Sequence, residues 1–197
     1  MQQRVSLRDW AYRRAHDVSM RRLFFALWPS AVEQQALADN FRDAVELSGG
    51  RAVVPSNLHL TLAFLGSVLE DALPLVRSIG LMVSEAVRVA HEPIELTFDG
   101  VEHWRRPRII CATASVAPPA ALALADALKR DLTSAGFTPD LKAFRAHVTL
   151  ARKVLRAEHL QAASMTLTFR DFSLVESRSE LHGSSYSVIE CWPLCTC

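Results

Sequence analysis

Short apolar runs alternate along this chain with longer stretches whose apolar positions recur at helical spacing. Arg22–Trp28 reads as a strand. Pro29-Ser30 then opens a helix with Val32, Leu37, Phe41 and Val45 on one face, and Ser48-Gly49-Gly50 ends it. Val53–Val54 reads as a short strand, and Leu58–Leu65 as a clearer one closed by Gly66. A second helix spans about Glu70 to Val89, with Pro74 near its first turn, where proline is tolerated. Strands follow at Ile94–Phe98 and Arg108–Ala114, joined by a loop holding Gly100 and the basic cluster Arg105, Arg106 and Arg108. Pro118-Pro119 starts a third helix, which runs to about Ser134 and is capped by Gly136. His147–Ala151 is the next strand, followed by a short helix near Ala157–Ala163 and final strands at Met165–Glu176 and Tyr186–Cys191.

This order predicts an α+β fold. Each half of the chain has a long helix and then a strand carrying His-x-Thr-Leu, the mark of an internal pseudo-repeat. No low-complexity linker divides the halves. The expectation is therefore one bilobal unit over residues 20–194 with two lobes packed together. Residues 1–19 are polar, Arg-rich and unpatterned, and read as a disordered extension or as the product of a start codon upstream of Met20. Residues 195–197 form a tail.

Composition narrows the class. The chain has 197 residues, half of them hydrophobic and 22% charged, as a globular domain does. Its net charge of +1 excludes a long electrostatic grip on nucleic acid and leaves only a local patch around a few phosphates. Leu23–Trp28 is stopped by Pro29, far short of the ~20 apolar residues of a membrane span. Cys111 is isolated, and Cys191, Cys195 and Cys197 crowd the end as Cys-x3-Cys-x-Cys, a pattern read as free thiols rather than a metal site. That usage fits a reducing cytoplasm.

The chemistry lies in two short motifs, Asn57-Leu58-His59-Leu60-Thr61-Leu62 and Ala146-His147-Val148-Thr149-Leu150. In a strand, residues i and i+2 share a face. Each motif thus offers an imidazole and a hydroxyl on one face and apolar residues on the other. A single His-x-Thr is ordinary; two copies, each followed by Leu, are not, and the other five of the seven histidines lack the pattern. Histidine titrates near neutrality, so one ring can be neutral while the other is protonated, as concerted acid–base catalysis requires. Thr hydroxyls and an Arg can hold phosphate oxygens. Arg152 is the candidate, with a solvated strand end as the alternative reading. Neither His-x-His nor His-Glu-x-x-His occurs, and there is no carboxylate beside either motif and no glycine-rich phosphate loop. Elimination leaves acid–base chemistry without a metal or cofactor. Trp28, Trp104 and Phe144 are candidates for stacking on a base or for packing in the core.

At these residues the chain resembles the two-histidine phosphoesterase superfamily, and most closely its LigT-like branch of RNA 2′,3′-cyclic phosphodiesterases, also called 2′-5′ RNA ligases. The resemblance runs from Arg22 to Leu194. It rests on Arg22–Leu27, on Asn57–Gly66 as NLHLTLAFLG, on Arg106-Pro107-Arg108, on Ala146–Lys153 as AHVTLARK, and on Ser177–Leu181 leading to Gly183 and Tyr186. It departs from the family pattern where Arg145-Ala146 precede the second histidine, a place often held by Pro. The resemblance implies two antiparallel sheets lining a central cleft, helices on their outer faces, and one motif per lobe. It implies hydrolysis of RNA 3′ ends, or of small nucleotides, bearing a 2′,3′-cyclic phosphate. In this reading His59 donates a proton to the leaving oxygen, His147 accepts one from water, and Thr61 and Thr149 bind phosphate. Alternatives are action on 2′,5′-linked oligonucleotides or nucleotide cyclic phosphates, and a non-catalytic module that binds RNA ends. Ligation is the allowed reverse reaction, and a monomer is the default state.

Overall fold

Strand β1 (Met20–Leu27) is buried on both faces from Leu23 onward because it runs through the middle of a sheet. The structure is a computed structural model that describes residues 19–87, 92–154, 164–180 and 183–195. After β1 come α1 (Ala31–Asn40), α2 (Arg42–Leu47), β2 (Arg51–Ala52), β3 (Leu60–Leu69) and α3 (Leu73–Val87). Next are β4 (Ile94–Phe98), β5 (Gly100–Trp104), β6 (Ile109–Thr113), α4 (Pro119–Ser134) and β7 (His147–Arg152). The last three are β8 (Met165–Phe169), β9 (Asp171–Glu180) and β10 (Gly183–Pro193). All the ladders are antiparallel. One sheet has the order β10-β9-β1-β3, a second β2-β7-β6-β5, and a small third pairs β4 with β8.

This is the predicted α+β fold. Helices α3 and α4 pack against each other, α4 on β3 and α3 on β10, while α1 packs on β8 and on a 3-10 turn at Pro55–Asn57. One continuous core joins the elements, with Phe25, Phe41, Phe98 and Phe172 fully buried in it.

Several local expectations change. The first helix begins at the expected place, where Ser30 and Glu33 form a reciprocal cap with Glu33 N–H donating to Ser30 Oγ and Ser30 N–H to Glu33 Oε2. It then breaks at Phe41, whose φ of −106° and ψ of 14° leave the helical region and whose ring is fully buried. Gly66 does not close β3. Its φ of +76° forms a bulge inside the strand, which continues to Leu69. The stretch read as a loop around Gly100 contains β5, half-buried throughout and paired with β6 along its length. Met165–Glu176 is two strands in two sheets, β8 and β9, turning at Arg170.

The second helix opens as a 3-10 turn at Glu70–Ala72 before α3, and the short second strand is Arg51–Ala52 rather than Val53–Val54. The expected helix at Ala157–Ala163, residues 1–18, and 196–197 lie outside the described residues. The halves of the sequence are not the two sheets. The first sheet takes β1 and β3 from early in the chain and β9 and β10 from its end, enclosing the second.

Candidate active site

The two motifs line one cleft of about 860 Å³ between the first and second sheets. His59 precedes β3 by one residue, and His147 begins β7. The 3-10 turn ahead of His59 is held by buried Gln34 of α1, whose amide donates to Ser56 O at 3.3 Å and Leu58 O at 3.1 Å. Asn57 Nδ2 ties the same turn to Ser184 O of β10 at 2.9 Å.

Both imidazoles are fixed alike. His59 Nδ1 lies 2.8 Å from Asn57 O, and His147 Nδ1 lies 2.7 Å from Arg145 O. A carbonyl oxygen can only accept, so each Nδ1 carries the hydrogen. Each Nε2 is then a base in the neutral ring and a donor in the protonated one. Thr61 and Thr149 line the cleft beside them, as period-two spacing predicts.

Arg152 also lines the cleft, although it lies three residues past Thr149 and a regular strand would turn it to the opposite face. A bulge resolves this. Cys111 faces Thr149 and Ile110 faces Ala151, so Leu150 has no partner and the alternation resets. The same device works on β3, where register slips past Leu62 and Leu65, and both Thr61 and Phe64 reach the cleft.

The surroundings of the two histidines differ. His59 touches three aromatic rings, with Trp28 stacked at 5.1 Å, Phe24 at 4.9 Å and Tyr186 edge-on at 5.0 Å between centroids. Burial pushes its pKa down to about 4, opposed by the Asn57 carbonyl and reinforced by the charges of Arg152 and His147. Among the described residues, His147 has one aromatic neighbour, Trp104, at 4.5 Å. Burial lowers its pKa too; the Arg145 carbonyl and the Glu102 carboxylate push it up, and the Arg145 charge pushes it down. Glu102 accepts from Trp104 Nε1 at 2.9 Å and from Arg145 Nη2 at 2.8 Å, and the Arg145 guanidinium lies 5.2 Å from the Trp104 ring. His147, Trp104, Glu102 and Arg145 thus close a ring of contacts. The hydrogen bond from Trp104 is the main reason that the Glu102 carboxyl stays below its ordinary range, with the Arg145 guanidinium acting in the same direction.

Sequence reasoning singled out Trp28 and Trp104 as stackers on a base or as core; Trp28 stacks on His59, and Trp104 lies tilted beside His147. Phe144 lies away from the cleft, beside a smaller cavity with Asp99 and Thr113. Phe24, Tyr186, Arg22 and Glu102 carried no site role in that reasoning, and Arg145 entered it only as a departure from the family pattern that could bring a positive charge to the cleft. For Phe24 a signal existed: Arg22, Phe24 and Ala26 share one face of β1 by alternation, and Arg22 and Phe24 line the cleft. Glu102 and Arg145 meet through tertiary contact that spacing does not reveal. Among the described residues no three His, Cys, Asp or Glu side chains cluster to hold a metal.

Comparison with known proteins agrees with this architecture. Residues 27–111 match the family model described as LigT like Phosphoesterase. An RNA 2′,3′-cyclic phosphodiesterase of Archaeoglobus fulgidus is 32% identical over 135 residues, which cover 66% of this chain and 72% of that one. The Escherichia coli protein of the same name is 28% identical over 183 residues, covering 88% and 97%. Among solved structures, E. coli LigT complexed with 3′-AMP superposes with a TM-score of 0.77 at 25% identity, over 90% of this chain and all of that one. A Thermus thermophilus structure gives 0.72 at 27% identity, over 88% and 97%. With paired His-x-Thr strands facing one cleft and relatives matched across most of their length, the chain belongs to the LigT-like phosphoesterase family.

Proposed function

We propose that this chain hydrolyses RNA 2′,3′-cyclic phosphate ends to 2′-phosphomonoesters by acid–base catalysis between His59 and His147. The observation that carries the reading is the matched pair of Nε2 atoms freed toward one cleft by hydrogen bonds at Nδ1. His147 Nε2 takes a proton from water as the water oxygen attacks phosphorus. The bond from phosphorus to the 3′-oxygen breaks, and His59 Nε2 gives its proton to that oxygen, leaving a 3′-hydroxyl and a 2′-phosphate. Thr61, Thr149 and Arg152 hold the non-bridging oxygens. Burial holds both imidazoles below their ordinary pKa, His59 the further, so the neutral rings are favoured at pH 7 before substrate binds. The anionic phosphate raises both pKa values and engages Arg152, so the donor form of His59 is made as substrate enters. The assignment of His59 as donor and His147 as acceptor follows the family resemblance; the fixing of the two rings is symmetric.

No helix among the described residues is long and apolar enough to cross a membrane. Cys111, Cys191 and Cys195 are free thiols, which supports a reducing cytoplasm as the working compartment, and we take a monomer as the working state.

The test is turnover of RNA ending in a 2′,3′-cyclic phosphate, with the product assayed for 2′- or 3′-phosphate. We expect a 2′-phosphate, activity that persists in EDTA, and a loss of about 10²–10⁴-fold in either His59→Ala or His147→Ala. Full activity in both variants would sink the proposal. Faster turnover of 2′,5′-linked oligonucleotides or of ADP-ribose 1″,2″-cyclic phosphate would move the assignment to those substrates. Tight binding without turnover would make the protein a binding module.

A further inference from the structure

A row of positive charge leads out of the cleft over one end of the second sheet. Arg51 and Arg152 are cross-strand partners on β2 and β7, and both line the cleft. The next residue across from Arg152 is Ile109 of β6, and Ile109 pairs with Trp104 of β5. Between Trp104 and Ile109 lies the exposed turn that carries Arg105, Arg106 and Arg108. Lys153, also exposed, follows Arg152 on the same edge. Val154 N–H donates to Arg108 O at 2.9 Å, so the turn and the end of β7 are joined.

Two features set this rim apart. Among the described residues, Arg105, Arg106, Arg108, Arg152 and Lys153 have no ion-pair partner, whereas Arg21, Arg42, Arg77, Arg130, Lys142, Arg145 and Arg178 each have one. The other described cations without an ion pair, Arg22, Lys129 and Arg170, lie apart on β1, on α4 and at the turn between β8 and β9, whereas these five stand together at one mouth of the cleft. The second feature is backbone strain. Arg108 and Lys153 are the described non-glycine residues with positive φ, at 54° and 57°. Glycine or asparagine would hold those positions more cheaply, and strain of this kind collects where side chains are aimed at a ligand. Of the acidic groups nearby, Glu102 is engaged by Arg145, and Glu180 faces the cleft from the first sheet.

We propose that this rim binds the phosphates of the single-stranded RNA upstream of the reacting end, which makes an oligonucleotide a better substrate than a mononucleotide. The inference rests on the cyclic phosphodiesterase reading above and adds where the rest of the strand runs. About two or three phosphates would be engaged, few enough to agree with the modest net charge. Phosphate contacts of this kind position a strand without reading its sequence.

The experiment compares a short RNA oligonucleotide ending in a 2′,3′-cyclic phosphate with adenosine 2′,3′-cyclic phosphate, in the unmodified protein and in Arg105→Gln/Arg106→Gln. We expect the double variant to raise KM for the oligonucleotide about tenfold with kcat unchanged, and to leave the ratio of oligonucleotide to mononucleotide kcat/KM near one. The dependence of log kcat/KM on log salt should flatten by about 0.7 per lost contact. Arg105→Lys/Arg106→Lys, which keeps the charge, should retain both the preference and the salt slope. Equal turnover of the two substrates by the unmodified protein, or an equal loss on both in the Gln variant, would overturn the proposal. If neither substrate is turned over, the phosphodiesterase reading has failed instead. The rim is then judged by anisotropy of a fluorescent oligonucleotide with a 3′-phosphate, whose binding must weaken in the Gln variant for the rim to stand.

Discussion

His59 is packed against Phe24, Trp28 and Tyr186, and this contact ties protein stability to pH. In the unfolded chain the ring takes up a proton near pH 6.5, whereas in the folded cleft burial holds the pKa at about 4. The unfolded state therefore binds more protons between those values. Stability is complete above pH 6.5, falls as pH drops toward 4, and levels off below, a loss of about 3 kcal/mol from this residue. Urea unfolding at pH 7, 5 and 4 should show the decline in the unmodified protein and a smaller one in His59→Asn. Parallel curves would refute the linkage.

Glu102 provides a second residue-level test. The singly protonated pair is the working form, so kcat/KM is bell-shaped, with the lower pKa on its acid limb whichever ring is the acid. His59 is the more strongly depressed, which puts His147 on the alkaline limb, below pH 6.5. Glu102→Gln removes the carboxylate that raises His147, so the alkaline limb should move to lower pH while the acid limb stays. The plateau then distinguishes the roles. If His59 is the donor, productive enzyme carries the proton on the less basic ring, and drawing the two pKa values together raises the plateau. If His147 is the donor, the plateau falls. We expect the rise. An unmoved alkaline limb would show that Glu102 does not act through His147. The two histidines and their threonines were legible because period two assigns faces from spacing alone. Glu102 and Arg145 were not, because they are 43 residues apart and meet only through side chains.

At the scale of elements, irregularities decide what reaches the cleft. The β3 and β7 bulges bring Phe64 and Arg152 onto the face that Thr61 and Thr149 already occupy, and no residue pattern announces them. Local signals identified β1, the Ser30 cap, α4 and the His-x-Thr strands, because each depends on neighbours in sequence. The β5 edge strand was missed for the converse reason. Its half-buried residues, with Glu and His among them, become a strand only by pairing with β6. Helix α3 is seated with similar tightness. Gly80 faces Trp192, and a Cβ there would stand 2.7 Å from the indole. Trp192 is itself wedged between Phe25 at 5.9 Å and Phe172 at 5.5 Å, so it has little room to retreat. Replacing Gly80 by Ala gains about 1 kcal/mol of helix propensity but overpacks the contact by about 1–3 kcal/mol. We expect Gly80→Ala to be less stable by up to about 2 kcal/mol in urea unfolding. A more stable variant would mean that the indole moves freely.

At the scale of the molecule, the cleft unites two sheets that the chain does not build in sequence. Strands from early in the chain and from its end make the wall carrying His59, and the middle of the chain, with β2 added at its edge, makes the wall carrying His147. Neither wall suffices if the proton transfers are concerted. Removing His59 leaves the leaving oxygen without a donor, and removing His147 leaves water without an acceptor. Once either is gone, the other has little left to accelerate. Two independent losses of about 10³ would multiply to about 10⁶ in the double variant, whereas a coupled pair saturates near the slower single variant. We expect His59→Ala/His147→Ala to fall no more than about tenfold below the slower single variant, with all three proteins folded by near-UV circular dichroism. A loss equal to the product of the singles would show that the histidines act in separate steps, and the concerted mechanism would have to be abandoned even if both residues are essential.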